Sequence, residues 1–188
     1  MADDVSEILI PADRIAARVR ELAADLARAY AGRPPVLVAI MKGSFLFLAD
    51  LVRAWPESLD MEFVSAESYD GIRAGALRVT LPHSLGPRVA GQPVLVIDDI
   101  YDTGRTLAEV CRAVDDMGPA EVRTLVLLLK HRDAANHPDD TPPAAGASTP
   151  RTPDWVGFEV PDRFVVGYGL DHCGQYRNLP HIAVLRQG

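Results

Sequence analysis

Three acids within fourteen residues carry the first chemical signal in this chain: in VLVIDDIYDTGRTL, Val94 to Leu107, they are Asp98, Asp99 and Asp102. Adjacent carboxylates repel one another, and a bound cation or a polyhydroxylated ligand offsets that repulsion. The continuation, Asp102-Thr103-Gly104-Arg105-Thr106, can wrap an anion. Gly104 lets the backbone approach closely, Thr103 and Thr106 offer hydroxyls, and the first turn of a following helix presents unpaired N–H groups. Neither GxxxxGK[ST] nor GxGxxG occurs in the chain. A phosphate cradle beside acids points to a phosphorylated sugar. The plainer alternative is a solvated acidic turn in which Asp98 or Asp102 caps a helix.

These side chains need a scaffold, and the apolar pattern supplies an α/β one. After Pro11, the residues Ile15, Val19, Leu22, Leu26 and Tyr30 recur at three- and four-residue steps, which predicts an amphipathic helix. Val36–Met41 then predicts a buried strand, followed by a Lys42-Gly43-Ser44 turn and the helix FLFLADLVRA. DMEFVSA reads as a strand reaching Glu67-Ser68-Tyr69, DGIRAG as a loop, and the alternation of Leu77, Val79 and Leu81 as a strand with one wetter face. Val94–Ile97 is a further strand, ended by Asp98 and Asp99. The next helix carries Leu107, Val110, Cys111, Val114 and Met117 on one side and stops at Gly118-Pro119. VRTLVLLLK has no in–out alternation, as expected of a strand covered on both faces. From 131 to 154 the chain is rich in Pro, Ala, Asp and Thr and predicts a mobile surface excursion. WVGFEV, FVVGYGL and HIAVL restore structure.

With 188 residues and a 48% hydrophobic share, a single domain over 1–188 is the simplest organisation. No apolar run approaches the roughly 20 residues that span a bilayer, and the acidic start MADDVSEILI lacks the layout of a secretion signal. A cytoplasmic location without membrane attachment is therefore expected. Cys111 and Cys173 form no C-x-x-C motif, and Cys111 sits in an apolar helical pattern that predicts a core position. The net charge of -7 argues against broad nucleic-acid binding.

VLVIDDIYDTGRT is similar to the phosphoribosyl pyrophosphate signature of type I phosphoribosyltransferases. The resemblance narrows to the hypoxanthine-guanine phosphoribosyltransferase family through ILI-PADRIAARVREL, VAIMKGSFLFLADLVRA, the ESY triplet and VGFEVPDRFVVGYGLD-x4-YRNLPHIAVL, in that order along the chain. It implies a parallel sheet flanked by helices, with a small hood built from terminal segments. It implies purine salvage: magnesium-dependent transfer of a phosphoribosyl group from phosphoribosyl pyrophosphate to hypoxanthine or guanine. The products would be IMP or GMP and pyrophosphate, made by a homodimer or homotetramer.

By the same resemblance, Asp98 and Asp99 address the ribose hydroxyls, directly or through magnesium, and Asp102 to Thr106, Arg105 included, hold the 5′-phosphate. Asp102 takes the purine N7 proton, a role that fits a carboxylate within hydrogen-bond reach. Lys42 and Gly43 contact pyrophosphate in a loop that often carries a cis peptide, and Arg177 clamps the same group. Lys130 donates to the purine 6-oxo group, which excludes adenine; Phe164 stacks on the base beside Arg163, and Val165 bonds its edge through the backbone. Asp171, beside the base, supplies an oxygen to a second magnesium, and Ser68 and Tyr69 begin a lid.

Four departures stand out. Tyr101 replaces an aliphatic residue, Arg163 replaces a lysine, the lid is short with Ala74-Gly75 in place of a Ser-Ser-Gly element, and the 131–154 stretch is inserted. Two other functions share the phosphate turn: an enzyme preferring xanthine or guanine, and a non-enzymatic RNA-binding regulator of pyrimidine operons.

Overall fold

The computed structural model describes residues 5–68, 77–131 and 150–186. A six-stranded sheet in the order β4-β3-β2-β5-β6-β7 forms the body. Its strands are β2 (Val36–Met41), β3 (Asp60–Ser68), β4 (Leu77–Thr80), β5 (Pro93–Tyr101), β6 (Glu121–His131) and β7 (Trp155–Pro161). Neighbours pair in parallel except β4, which runs antiparallel to β3 at the edge, so the expected parallel sheet is mixed. β3 ends at Ser68 and β4 starts at Leu77, and a parallel return needs a longer crossover, so only an antiparallel one suits so short a connection.

Helices cover both faces, which explains the missing alternation in the central strands. α1 (Ala12–Ala29) and α2 (Phe45–Ala54) pack over Leu37, Ala39, Leu95, Ile97 and Leu125. Helix α3 (Leu85–Val89) and α4 (Arg105–Asp115) pack over Val38, Val94, Val96 and Val126 on the opposite face. The predicted α1 stripe is buried as expected, and Cys111 lies in the second layer. Among the described elements, α3 and the strand Val5–Ile10 escaped the sequence pattern; the five residues of α3 are too few to display a helical period.

β5 continues through Asp98 and Asp99 to Tyr101 instead of ending at Ile97. Pairing of Asp98 with Val126, Ile100 with Leu128 and Tyr101 with Leu129 carries it on, because the long β6 offers a continuous backbone ladder. Asp98 and Asp99 are thus strand residues, and the turn starts later, at Asp102.

A second, three-stranded sheet in the order β1-β9-β8 is the hood, assembled from β1 (Val5–Ile10), β8 (Val165–Val166) and β9 (Ile182–Leu185). The expected excursion falls largely outside the described residues, as does the loop after Ser68. Its last residues, however, are anchored. Asp154 accepts hydrogen bonds from the backbone N–H and hydroxyl of Thr124, each at 2.8 Å, and Arg151 donates to the Val122 carbonyl at 2.5 Å. These bonds dock β7 onto the sheet edge.

Candidate active site

β5, β6 and the hood meet at a cavity of about 220 Å³ beyond the carboxyl ends of the parallel strands. β5 and its turn bring Asp99, Ile100 and Asp102, β6 brings Lys130, and the hood side brings Phe164, Val165, Leu170 and Asp171. Six of the predicted site residues therefore share one cavity, although up to 72 positions separate them in sequence (Asp99 to Asp171). Ile100 and Leu170 were not anticipated. Their apolar character hid them among core positions, although Ile100 sits between two candidate acids.

Lys130 Nζ lies 3.2 Å from Asp102 Oδ2. Asp102 is thereby aimed across the cavity at the end of β6 instead of capping α4, whose N-cap is Gly104 and has no side-chain cap bond. Gly104 adopts φ 74°, and a Cβ placed there would stand 2.4 Å from the Tyr101 hydroxyl. Tyr101 packs partly buried against the α4 layer with its hydroxyl at the turn. Thr103 Oγ1 accepts a long bond from the Arg105 N–H at 3.4 Å, and Thr106 follows in the first turn of α4.

Asp98 is 5% exposed and accepts a hydrogen bond from the Asp99 N–H at 3.0 Å; Asp99 in turn accepts from the Ile100 N–H. Burial, reinforced by the neighbouring Asp99 charge, holds the Asp98 carboxyl well above the usual carboxylate range. Burial raises Asp99 too, against its own hydrogen bonds and the Arg177 charge. A buried acidic pair of this kind is deficient in positive charge. Its oxygen donors are of the type that suits a hard divalent cation.

The loop after β2 lies directly against these acids. The Met41–Lys42 peptide is cis, and a Cβ on Gly43 would meet Asp99 Oδ2 at 1.6 Å. A side chain at 43 would therefore displace the Asp99 carboxylate. On the other side, a Cβ on Gly169 would meet the Gly43 carbonyl oxygen at 2.1 Å. Lys42 is exposed at this loop. Arg177 is committed to the hood: Nη1 donates to the Gly169 carbonyl at 2.6 Å, and Nη2 pairs with Asp171 Oδ1 at 2.7 Å. Asp171 also accepts from the Gly174 N–H at 2.7 Å.

Phe164 is 39% exposed, with His172 set edge-on at 5.2 Å between ring centroids. Val165 is buried and paired with Val184. Arg163 turns away from the cavity to pair with Glu7 at 2.7 Å, and it lines a neighbouring groove of about 350 Å³. Ser68 is the last residue of β3, and Tyr69 lies outside the described residues. No described helix is long and apolar enough to cross a membrane.

The model of the phosphoribosyl transferase domain family matches residues 6–172. The bifunctional protein TilS/HprT of Listeria monocytogenes is 36% identical over 99% of this chain, which spans only 27% of that longer protein. The hypoxanthine-guanine phosphoribosyltransferase of Bacillus subtilis is 34% identical over 99% of this chain and 96% of its own length. Among solved structures, the hypoxanthine phosphoribosyltransferase of Trypanosoma cruzi in complex with the product IMP superposes with a TM-score of 0.80 at 34% identity, covering 98% of this chain and 96% of that one. The Bacillus subtilis and Trypanosoma cruzi proteins are matched along nearly their whole length, and the chain belongs to the hypoxanthine-guanine phosphoribosyltransferase family.

Proposed function

We propose that this protein transfers the 5-phosphoribosyl group of phosphoribosyl pyrophosphate to a 6-oxopurine, hypoxanthine foremost and guanine second, in purine salvage. The observation that carries this reading is the Lys130–Asp102 pair, 3.2 Å apart in a cavity capped by Phe164. A cationic donor beside a carboxylate acceptor matches a base presenting an oxo group next to N7–H, and it mismatches the amino group of adenine. IMP in the Trypanosoma cruzi relative supports the same class of product.

In this mechanism Phe164 stacks on the base and the Val165 backbone bonds its edge. Purine N9 attacks C1′ of the donor as the C1′–O bond to pyrophosphate breaks, and the leaving group departs with the bond electrons. The N7 proton passes to Asp102. Backbone N–H groups of the Asp102 to Thr106 turn and the Thr103 and Thr106 hydroxyls bind the 5′-phosphate at the start of α4. Lys42, the Gly43 loop and Arg177 orient the pyrophosphate, with Arg177 exchanging its pairing with Asp171 for the ligand. Asp98 fixes Asp99 beneath the ribose hydroxyls. Asp99 and Asp171 would hold magnesium, which supplies positive charge to the departing diphosphate when bound.

A spectrophotometric assay with phosphoribosyl pyrophosphate, magnesium and each of hypoxanthine, guanine, xanthine and adenine tests the proposal. Conversion of hypoxanthine or guanine and none of adenine is expected; turnover of neither 6-oxopurine overturns it. A xanthine preference would appear as the dominant arm of the same assay. Assembly into a dimer or tetramer belongs to the proposal and is read by light scattering of the eluting protein.

A further inference from the structure

Tyr168 is a bulky residue at φ 49°, inside the turn Gly167–Leu170, where Gly169 also has positive φ, 101°. The turn closes on itself, Gly167 N–H donating to Leu170 O at 3.0 Å and Leu170 N–H to Gly167 O at 3.1 Å. Asn or Gly would occupy such a position at little cost, whereas a large side chain is held there only when its surroundings compensate. The compensation is visible. The ring is 6% exposed, and the hydroxyl crosses to α2 and donates to Asp50 Oδ2 at 2.6 Å. Asp50 is steadied on its other oxygen by Arg53, one turn further along α2.

The same turn reaches the acids through the Gly43 loop. Gly169 abuts the Gly43 carbonyl oxygen, and Gly43 abuts Asp99 Oδ2, each too closely for a Cβ. A loop pressed between a backbone turn on one side and the Asp99 carboxylate on the other has its height set by whatever anchors that outer turn. The outer turn is anchored by Tyr168 on α2 and by Arg177 on the Gly169 carbonyl. Because α2 begins at Phe45, directly after Gly43-Ser44, the bond from Tyr168 to Asp50 ties the outer turn to the same helix that the Gly43 loop leads into.

We propose that Tyr168 and Asp50 are a positioning pair that sets the Gly43 loop against Asp99, and so governs binding of the diphosphate end of the sugar donor while leaving the purine end alone. Neither residue lines the purine cavity. This rests on the phosphoribosyl-transfer reading above.

The test compares Tyr168→Phe, Asp50→Leu, Asp50→Asn and the double variant Tyr168→Phe/Asp50→Leu. Loss of a hydrogen bond to a charged acceptor corresponds to roughly tenfold or more. The KM for phosphoribosyl pyrophosphate should therefore rise about tenfold in Tyr168→Phe and Asp50→Leu, with the purine KM changed less than about twofold. Asp50→Asn keeps an acceptor and should restore most of the donor affinity. The double variant should be no worse than the poorer single one, as for two halves of one interaction. Hydrogen exchange at residues 41–44 provides a readout independent of turnover, and it should accelerate in the same three variants and not in Asp50→Asn. A lower melting temperature with both KM values and loop exchange unchanged would reduce the pair to a structural bond and overturn the proposal. A wild-type protein without 6-oxopurine turnover would instead overturn the functional reading, with loop exchange still deciding the positioning role.

Discussion

At the scale of single residues, the candidate site holds carboxylates in very different surroundings. Asp98 is the extreme case: a buried carboxyl whose ionisation is opposed by burial and by Asp99. Asp98→Asn keeps an oxygen for the Asp99 N–H and removes the like-charge repulsion. That change should stabilise the ligand-free protein by about 1 kcal/mol, a rise of roughly 2–4 °C in melting temperature for a chain of this size, while turnover falls. A melting temperature that drops would show that the acid is satisfied as a charge without any ligand. Asp102 stands at the opposite end, paired with Lys130 and facing the cavity. Asp102→Ala should lower kcat by about 100-fold or more, the usual contribution of a positioned acid or base, with the purine KM changing far less. Steady-state kinetics showing full turnover would remove it from the proton path.

At the scale of elements, glycines decide how closely the pieces approach. Gly104 combines φ 74° with a Tyr101 hydroxyl where its Cβ would go. Gly104→Ala should cost on the order of 1–3 kcal/mol, from backbone strain together with the clash. Adding Tyr101→Ile should recover only the part due to the clash, as urea titration of both variants would show. An equal cost with and without Tyr101 would assign the whole penalty to the backbone. Tyr101, the odd residue of this turn, thus gives a Cβ at Gly104 two penalties instead of one. On the sheet's edge the same logic runs through hydrogen bonds. Asp154→Ala strips the Thr124 N–H and hydroxyl of their acceptor beside β7 and should destabilise by about 1–3 kcal/mol without altering either KM.

At the scale of the whole molecule, the buried titratable groups set a common alkaline limit. Burial pushes the Cys111 thiol up from 9.0 to about 12 and raises Tyr30 and Tyr168 above their ordinary 10.0. Above pH 9 the unfolded chain releases the thiol proton while the folded chain keeps it, and above pH 10 the phenols follow. The folded state then binds more protons than the unfolded one, so stability falls as pH rises, by about 1.4 kcal/mol per pH unit for each such proton. The urea midpoint should begin to decline near pH 9 and steepen past 10, and Cys111→Ala should delay the onset to about 10. A midpoint flat up to pH 11 would contradict this.

What the sequence determined by itself was whatever local periodicity and composition can encode. The α1 stripe, the fully apolar β2, the apolar run Leu125 to Leu129 of β6, the glycine-bearing turns and the acid-rich stretch after Val94 all follow from spacing between near neighbours. The acids after Val94 could be nominated because carboxylates at a strand end are anomalous in an apolar setting, whereas Lys130, Phe164, Val165 and Asp171 were nominated through the family resemblance. Tertiary structure alone decided the rest. The direction of β4, the extension of β5 past its acids and the brevity of α3 depend on ladder partners and packing that a period of two or 3.6 does not register. The pairing of Asp102 with Lys130, the turn of Arg163 toward Glu7 and the stack of Gly169 on Gly43 on Asp99 join residues 28 to 156 positions apart. Contacts across such distances are fixed by where the sheet order puts the strand ends, and that order arises only when two apolar layers close over one sheet.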